Sequence, residues 1–168
     1  KMSDQPLLLD ADALNLIAVS ESGLDSVKDA NSSLRVLTPH HVEAARLLGV
    51  SVEEVVQDRV KAVLEIAEAT GAVTVLKGHG TLIAAPGDSR PAICFEGNPG
   101  MATGGSGDVL SGIIASLWGQ GLSPYDAACH GVRLHAIAGD IAAAQYGERS
   151  MVARDIIAAL PQAFARYI

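Results

Sequence analysis

The chain has 168 residues, 49% of them hydrophobic and 18% charged, a composition that suits one globular domain with a sizeable core. Its formal net charge of -7 disfavours a nucleic acid or an anionic membrane as a partner, because both would repel an acidic surface. The longest apolar stretches, such as residues 113–118, are much shorter than the roughly 20 residues of a membrane span. We therefore expect no nucleic acid and no membrane among its partners.

The beginning of the chain predicts a buried strand, then a helix and a loop. Residues 6–10 contain a short continuous apolar run, which is typical of a strand covered on both faces. Asp12 precedes a helical pattern over residues 13–18 and could cap that helix. Residues 20–33 are polar and include Gly and Asn, which indicates a loop or a frayed short helix.

Strand and helix signals alternate through the rest of the chain. The predicted strands cover residues 34–37, 73–76, 81–84 and 92–95. The predicted helices cover residues 43–48, 52–69, 108–119, 124–146 and 153–166. This alternation predicts an α/β layered sheet, in which ligands bind where loops leave the carboxyl ends of the strands.

The two cysteines, Cys94 and Cys129, have neither the spacing of a redox pair nor a neighbouring group of metal ligands. Buried free thiols in a reducing cytosol are the simplest interpretation. A disulfide between them remains open at this stage.

Residues 98–112, with the sequence NPGMATGGSGDVLSG, are the most informative segment of the chain. Glycines let the backbone approach an anion closely, and the start of a helix supplies free N–H groups with a partial positive charge. The run therefore predicts a phosphate site at Gly104, Gly105, Ser106 and Gly107, with Asp108 as an adjoining base. The alternative is a glycine-rich turn in which Asp108 only caps the following helix.

A second glycine-containing loop lies between two predicted strands. It consists of Lys77, Gly78, His79, Gly80 and Thr81. Its glycines would permit close approach to a ligand, but the spacing fits equally well a tight hairpin turn with a solvated lysine. The residues alone leave both interpretations open.

Several isolated polar residues have both a structural and a functional interpretation. His40 follows a predicted strand, where α/β sheets place ligand contacts, although a lone histidine is more often structural. Asp10 and Asp12 could hold magnesium through water, but capping by Asp12 is the more usual role. His135 and Asp140 do not share one helix face well, and we interpret both as structural.

Segment 98–112 resembles the signature of the ribokinase-like NAD(P)H-hydrate dehydratases, which are repair enzymes of the carbohydrate-kinase type and are often fused to an epimerase. Further segments match the same family in order and spacing: LLLDADALN at residues 7–15, LTPH at 37–40, EAARLLG at 43–49 and VLKGHGT at 75–81. The resemblance implies a ribokinase-like α/β fold with a mostly parallel central sheet flanked by helices. It extends to about residue 161 and so covers nearly the whole chain.

The resemblance also implies roles for individual residues. Asp108 would take the proton from the substrate hydroxyl, the 77–81 loop and the 104–107 run would bind the nucleotide, and His40 would contact the hydrated dinucleotide. Two positions depart from the family pattern. His79 replaces a small residue, so its side chain would point outward or stack on the base, and His41 with Val42 replaces Pro-Gly, which leaves the reach of His40 open.

The activity implied is dehydration of hydrated NADH and NADPH, driven by ADP or ATP, with Mg²⁺ bridging the nucleotide oxygens and no metal ligands supplied by the protein. Two alternatives remain: a small-molecule kinase of the same fold, and a catalytically silent nucleotide-binding subunit. The motifs do not discriminate between ADP and ATP. The implied location is the cytoplasm.

Family members carry a further stretch of chain before the LDADALN segment, including glycine-rich substrate contacts. We therefore expect residues 1–168, which begin with Lys1-Met2, to be the C-terminal part of one dehydratase domain that lacks its N-terminal segment. An uncovered sheet edge or apolar face invites association, so we expect the isolated chain to form homo-oligomers or aggregates. Turnover would then require the preceding segment.

Overall fold

The computed structural model describes residues 5–28 and 31–167, and the chain divides into two compact units, Lys1–Ile93 and Cys94–Ile168. Lys1, Met2 and residues 29 and 30 of the predicted 20–33 loop lie outside the described residues. Within that loop, Gly23–Ser26 forms a short 3-10 helix, as does Ser32–Leu34 before the next strand.

The first unit contains a mixed sheet with helices. Its strands are β1 (Leu7–Leu9), β2 (Arg35–Leu37), β3 (Val73–Leu76), β4 (Thr81–Ala84) and β5 (Ala92–Cys94), in that spatial order. Its helices are α1 (Asp12–Val19), α2 (His41–Leu48), α3 (Val52–Gln57) and α4 (Arg59–Thr70). β1, β2 and β3 run parallel to one another, whereas β4 is antiparallel to β3. The four-residue connection from β3 to β4 permits only an antiparallel pair, because a parallel partner needs a long crossover.

Predominantly apolar strands explain why β2 and β3 lie in the core of this unit, although each also buries one polar residue, Arg35 and Thr74. Every residue of β2 and β3 is buried, as expected for strands covered on both faces. Leu14 of α1 and Val63 and Ile66 of α4 join the same hydrophobic cluster. Burial of these aliphatic side chains fixes the sheet, and with it the strand ends that carry Asp10 and Lys77.

Two local predictions in this unit are wrong. Asp12 does not cap α1: the N-cap is Ala11, at a φ of 48°, and no side chain caps the helix. The Asp10 carboxylate instead accepts a hydrogen bond from the Ala11 N–H at 2.9 Å. The predicted helix over residues 52–69 is two helices, because Asp58 leaves helical geometry (φ -138°, ψ 74°) and its carboxylate caps α4 by accepting from the Lys61 N–H at 2.9 Å.

The second unit contains a short 3-10 helix, Pro99–Met101, and the helices α5 (Ser106–Gly119), α6 (Pro124–Tyr146) and α7 (Ala153–Tyr167). α5 begins two residues earlier than predicted, inside the glycine run. Ile113, Leu134 and Ile156, one from each helix, share a hydrophobic cluster. None of the helices in the described part of the chain is long and apolar enough to cross a membrane.

Neither Cys94 nor Cys129 is in a disulfide, so the interpretation without a disulfide is confirmed. Cys94 is buried, and burial raises the pKa of its thiol to about 11, helped by the neighbouring Glu96 carboxylate. Cys129 is only half-buried, which differs from the prediction. A thiol with a raised pKa stays protonated at neutral pH and is therefore a poor nucleophile.

Candidate active site

The glycine run folds as a tight turn into the first turn of α5. Gly105 is the N-cap, with a left-handed φ of 86° that residues with a side chain rarely adopt. Within the turn, the Ser106 N–H donates to the Thr103 carbonyl at 3.2 Å, and the Val109 N–H donates to the Gly105 carbonyl at 3.1 Å. The local sequence therefore folds as the run of glycines predicts.

The remaining amides of this turn are free to bind an anion. No backbone hydrogen bond within the described residues uses the N–H groups of Gly104, Gly105, Gly107 and Asp108. Gly104 and Gly105 are exposed, and a methyl group built on Gly104 would meet nothing within 4 Å. Several free N–H groups at the positive end of a helix form a site suited to phosphate.

Asp108 is not a capping residue, although it occupies a position where capping is common. Three helices of this unit carry an aspartate as their third residue: Asp108, Asp126 and Asp155. The Asp126 carboxylate accepts from the Ser123 hydroxyl at 2.6 Å, and the Asp155 carboxylate accepts from the Val152 N–H at 2.8 Å. Asp108 is exposed, and its carboxylate makes no hydrogen bond or ion pair with any described residue. An unengaged carboxylate beside free amides is available as a base.

Ser106 turns its side chain away from the free amides. Its hydroxyl is buried and lies 3.2 Å from Nε2 of His135 on α6. Burial lowers the pKa of His135 to about 4, against a smaller opposing effect of a hydrogen bond with the Ser106 backbone. The imidazole is therefore neutral at physiological pH. Of the four residues predicted to bind phosphate, Ser106 is the one whose amide and side chain are both already hydrogen-bonded.

Asp140, also on α6, holds the beginning of the same segment. Its carboxylate accepts from the Gly97 N–H at 3.0 Å and from the Asn98 side-chain amide at 2.9 Å. The side-chain oxygen of Asn98, Oδ1, in turn accepts from the Gly100 N–H at 3.0 Å. His135 and Asp140 thus support the structural interpretation, but the sequence did not reveal that both contact the Asp108-bearing segment.

A groove of about 410 Å³ runs from Asp108 between α5 and α7. Apart from the Asp108 carboxylate its lining is largely aliphatic and aromatic, and Ile157 and Phe164 are partly exposed there. The other lining residues are Val109, Gly112, Ile113, Ser116, Leu117 and Leu160. The carboxylate therefore borders apolar surface on this side.

The first unit brings Asp10, Glu43 and Lys77 together, and we call these three residues the Lys77 cluster. The Lys77 ammonium lies 2.7 Å from Asp10 Oδ1 and 4.0 Å from Glu43 Oε2. Asp10 and Lys77 directly follow β1 and β3, at the carboxyl ends of parallel strands. Lys77 is only 20% exposed, so it is not the solvated lysine of a plain hairpin turn.

His40 caps α2 in a reciprocal arrangement with Glu43. His40 Nδ1 accepts from the Val42 and Glu43 N–H groups at 3.2 Å each, and the Glu43 carboxylate accepts from the His40 N–H at 2.8 Å. Nδ1 must therefore be unprotonated, which places the ring proton on Nε2, 3.4 Å from Glu43 Oε1. His41 is the first residue of α2, so the departure from Pro-Gly does not prevent a regular helix start.

Arg59, the first residue of α4, stabilises the 77–81 loop through hydrogen bonds to the backbone of the loop and of the residue before it. The Arg59 guanidinium donates to the carbonyls of His79 and Leu76, at 2.5 and 3.4 Å. The Thr81 hydroxyl donates to the Gly78 carbonyl at 3.0 Å, while the His79 side chain is exposed, as expected for an outward orientation. Burial lowers the pKa of Arg59. Sequence reasoning missed Arg59, because an arginine at a helix start has no pattern that indicates a contact 20 residues away.

Gly78 must lack a side chain. A methyl group built on it would lie 2.7 Å from His41 Cε1 and 3.2 Å from an Arg59 guanidinium nitrogen.

The described residues contain no group of three or more His, Cys, Asp or Glu side chains that could hold a metal ion. The Asp10 carboxylate, a candidate water-mediated ligand, is ion-paired with Lys77 instead.

Acidification should lower the free energy of unfolding, because His135 is buried in its neutral form. Its pKa is about 4 in the folded protein, against an ordinary value of 6.5, so the unfolded chain takes up a proton first as the pH falls. This contribution to stability is complete above pH 6.5 and is lost progressively down to about pH 4. By linkage, the loss between pH 7.5 and pH 5 is about 2 kcal/mol.

Urea unfolding of the wild type and of His135→Gln at both pH values measures this effect. The variant should lose about 2 kcal/mol less on acidification than the wild type, because all other titrating groups are shared. Identical losses in the two proteins would show that His135 is not buried in its neutral form.

Comparison with known proteins identifies the family. Residues 1–162 match the family described as NAD(P)H-hydrate dehydratase. The chain is 51% identical to the bifunctional NAD(P)H-hydrate repair enzyme Nnr of Escherichia coli over 93% of its own length and 28% of that protein. It is 47% identical to the ADP-dependent (S)-NAD(P)H-hydrate dehydratase of Neisseria meningitidis over 83% of its length and 46% of that protein. The chain thus spans less than half of these curated relatives.

Solved structures agree. The ADP/ATP-dependent NAD(P)H-hydrate dehydratase of Bacillus subtilis, co-crystallised with ATP/Mg²⁺, superposes with a TM-score of 0.86 at 30% identity, over 99% of this chain and 56% of that one. Ribokinase of Thermotoga maritima, at 19% identity and a TM-score of 0.50, shares the fold alone. The predicted ribokinase-like α/β fold is confirmed, with a mixed sheet. The chain therefore belongs to the NAD(P)H-hydrate dehydratase family.

Proposed function

We propose that this protein dehydrates hydrated NADH and NADPH back to NADH and NADPH, at the expense of ADP or ATP. The observation that carries the proposal is the unengaged Asp108 carboxylate beside the free amides of Gly104, Gly105 and Gly107. Phosphoryl transfer needs such a pairing, because one group must orient or deprotonate the acceptor hydroxyl while fixed dipoles stabilise the phosphoryl charge. The relatives from N. meningitidis and B. subtilis carry this activity in their names.

In the proposed reaction Asp108 takes the proton from the hydroxyl group on the hydrated nicotinamide ring. The oxygen of that group then attacks the terminal phosphorus of the nucleotide, and the bond between this phosphorus and the bridging oxygen breaks, which releases AMP from ADP or ADP from ATP and leaves the phosphoryl group on the ring oxygen. Inorganic phosphate next leaves the ring together with a ring proton, which restores the carbon–carbon double bond. The free amides would hold the charge that develops on the transferred phosphoryl group.

Mg²⁺ fits this scheme as part of the nucleotide complex, because magnesium is commonly coordinated by substrate phosphates. The described residues themselves offer no metal-binding cluster. When bound, it would neutralise charge on the phosphate oxygens. We assign nucleotide contact to the 77–81 loop, whose backbone shape Arg59 supports. We assign contact with the hydrated dinucleotide to His40, whose side chain is 49% exposed while its Nδ1 caps α2.

A product assay tests this proposal. Hydrated NADH and either ADP or ATP are mixed with the full-length protein, preceding segment included, and the dihydronicotinamide absorbance, inorganic phosphate and nucleotide products are followed together. We expect one NADH and one phosphate for each nucleotide consumed. Accumulation of a stable phosphorylated acceptor without phosphate release would instead identify a small-molecule kinase. Nucleotide binding without any consumption would identify a silent subunit.

We also propose a cytoplasmic, homo-oligomeric protein. Cys94 and Cys129 are not joined by a disulfide, which fits a reducing compartment. Ile157 and Phe164, 53% and 38% exposed on α7, offer apolar surface for self-association. Sedimentation velocity of the wild type and of Ile157→Glu tests the second point: a monomeric wild type would contradict it.

A further inference from the structure

The hydrogen bond between Ser106 and His135 is a polar contact inside an apolar interface. Leu110 of α5 and Ala138 of α6 are buried too, and Ser106 and His135 themselves are only 6% and 8% exposed. Burying two polar groups gives little net stability compared with an apolar pair of the same size. A packing role alone therefore does not explain this pair.

What the pair supplies is a fixed position for one residue of the phosphate-binding turn. Ser106 is the only member of the 104–107 run with a side chain, and it stands between Gly105 and Gly107. Glycines leave the backbone conformationally free, so the turn needs an external restraint. Apolar contacts tolerate sliding, whereas a hydrogen bond of 3.2 Å to a buried ring fixes both distance and direction.

The restraint acts at the place where precision matters for the proposed reaction. Ser106 is the first residue of α5 and immediately precedes the free amides of Gly107 and Asp108. Asp140 fixes the other end of the segment at Gly97 and Asn98, again from α6. Dipoles that stabilise a transition state are effective only when they are already in place before charge develops.

We propose that His135 is a positioning residue, which acts through the Ser106 hydroxyl to hold the first turn of α5 where its free amides meet the transferred phosphoryl group. This inference rests on the proposed function. Because His135 touches neither substrate nor nucleotide in this role, its loss should lower kcat much more than it weakens nucleotide binding.

The test uses Ser106→Ala, His135→Leu and the double variant that combines these two substitutions. The conservative variant is His135→Gln, whose amide can still reach the Ser106 hydroxyl. Leu134→Ala is the matched control: it opens a cavity next to His135 in α6 without touching the Ser106 contact. For each protein, kcat, the KM for the nucleotide, the affinity for ADP and the amide exchange of Val109 and Leu110 are measured.

We expect Ser106→Ala and His135→Leu each to lower kcat roughly tenfold or more, with KM within about threefold. The double variant should be no slower than the singles, since both remove one interaction. His135→Gln should recover most of kcat, and Leu134→Ala should lose thermal stability but stay within about twofold of the wild-type kcat. If Ser106→Ala and His135→Leu behaved like Leu134→Ala, the positioning role would be wrong.

A wild type without dehydratase activity would overturn the proposed function and not, by itself, the anchoring of the turn. The exchange data decide the anchoring in that case. Faster exchange at Val109 and Leu110 in Ser106→Ala and His135→Leu than in Leu134→Ala would support it. Equal exchange in all three variants would contradict it.

Discussion

Asp108→Asn should abolish turnover while the affinity for ADP or ATP changes by no more than a few-fold. Removing a general base typically costs about 10²- to 10⁴-fold in rate. Asp108 makes no hydrogen bond or ion pair with the described residues, so its replacement leaves no polar partner unsatisfied and should not disturb the fold. The isosteric amide keeps the shape of the side chain but cannot accept the substrate proton.

The chain provides a matched control for this substitution. Asp126→Asn removes the same charge from the same helical position in α6, where the carboxylate is engaged with Ser123. That variant should retain wild-type kcat and lose a little stability. If Asp108→Asn instead abolished nucleotide binding while the remaining bound complexes turned over normally, Asp108 would be a binding residue and not the base.

Gly107→Val should make nucleotide affinity collapse. A branched side chain at the second residue of α5 would stand beside the free N–H groups of Gly107 and Asp108 and keep a phosphate away from them. Hydrogen bonds to charged groups contribute about 1.5–3 kcal/mol each, so losing even one weakens binding at least about tenfold. Isothermal titration with ADP measures the effect directly.

Gly119→Val is the control, because it places the same side chain at the last residue of α5, where a methyl group meets nothing within 4 Å. It should bind ADP as the wild type does. A folded Gly107→Val protein with unchanged affinity would show that the nucleotide phosphates do not rest on this turn.

Local patterns in the sequence predicted the features that depend on neighbouring residues. Apolar runs placed β2, β3 and β4 closely, and the clustered glycines indicated the tight turn that precedes α5. The helix break at Asp58 was not predicted, because the apolar periodicity continues through it. The hydrogen bond from the Lys61 N–H to the Asp58 carboxylate caps α4 there. His40 as a helix cap escaped because serine, threonine, asparagine and aspartate are the usual capping residues.

Features that depend on tertiary contacts had no signal in the sequence. The Ser106 contact with His135 and the support of the 77–81 loop by Arg59 join residues on different elements. Residue spacing carries no information about such pairs until the helices are packed. Resemblance to a family indicated which residues to examine, but it did not indicate that Lys77 is ion-paired with Asp10.

The mixed sheet has a consequence for the order in which the chain folds. β3 and β4 pair across a four-residue loop, whereas each parallel pair, β1 with β2 and β2 with β3, encloses at least one helix. Closing a short loop costs less entropy, so the hairpin should form before the parallel pairings. Pulse-labelled hydrogen exchange during refolding should therefore protect Val75 and Ile83 earlier than Leu8. The 77–81 loop would then be shaped at the start of folding, before the rest of its sheet exists.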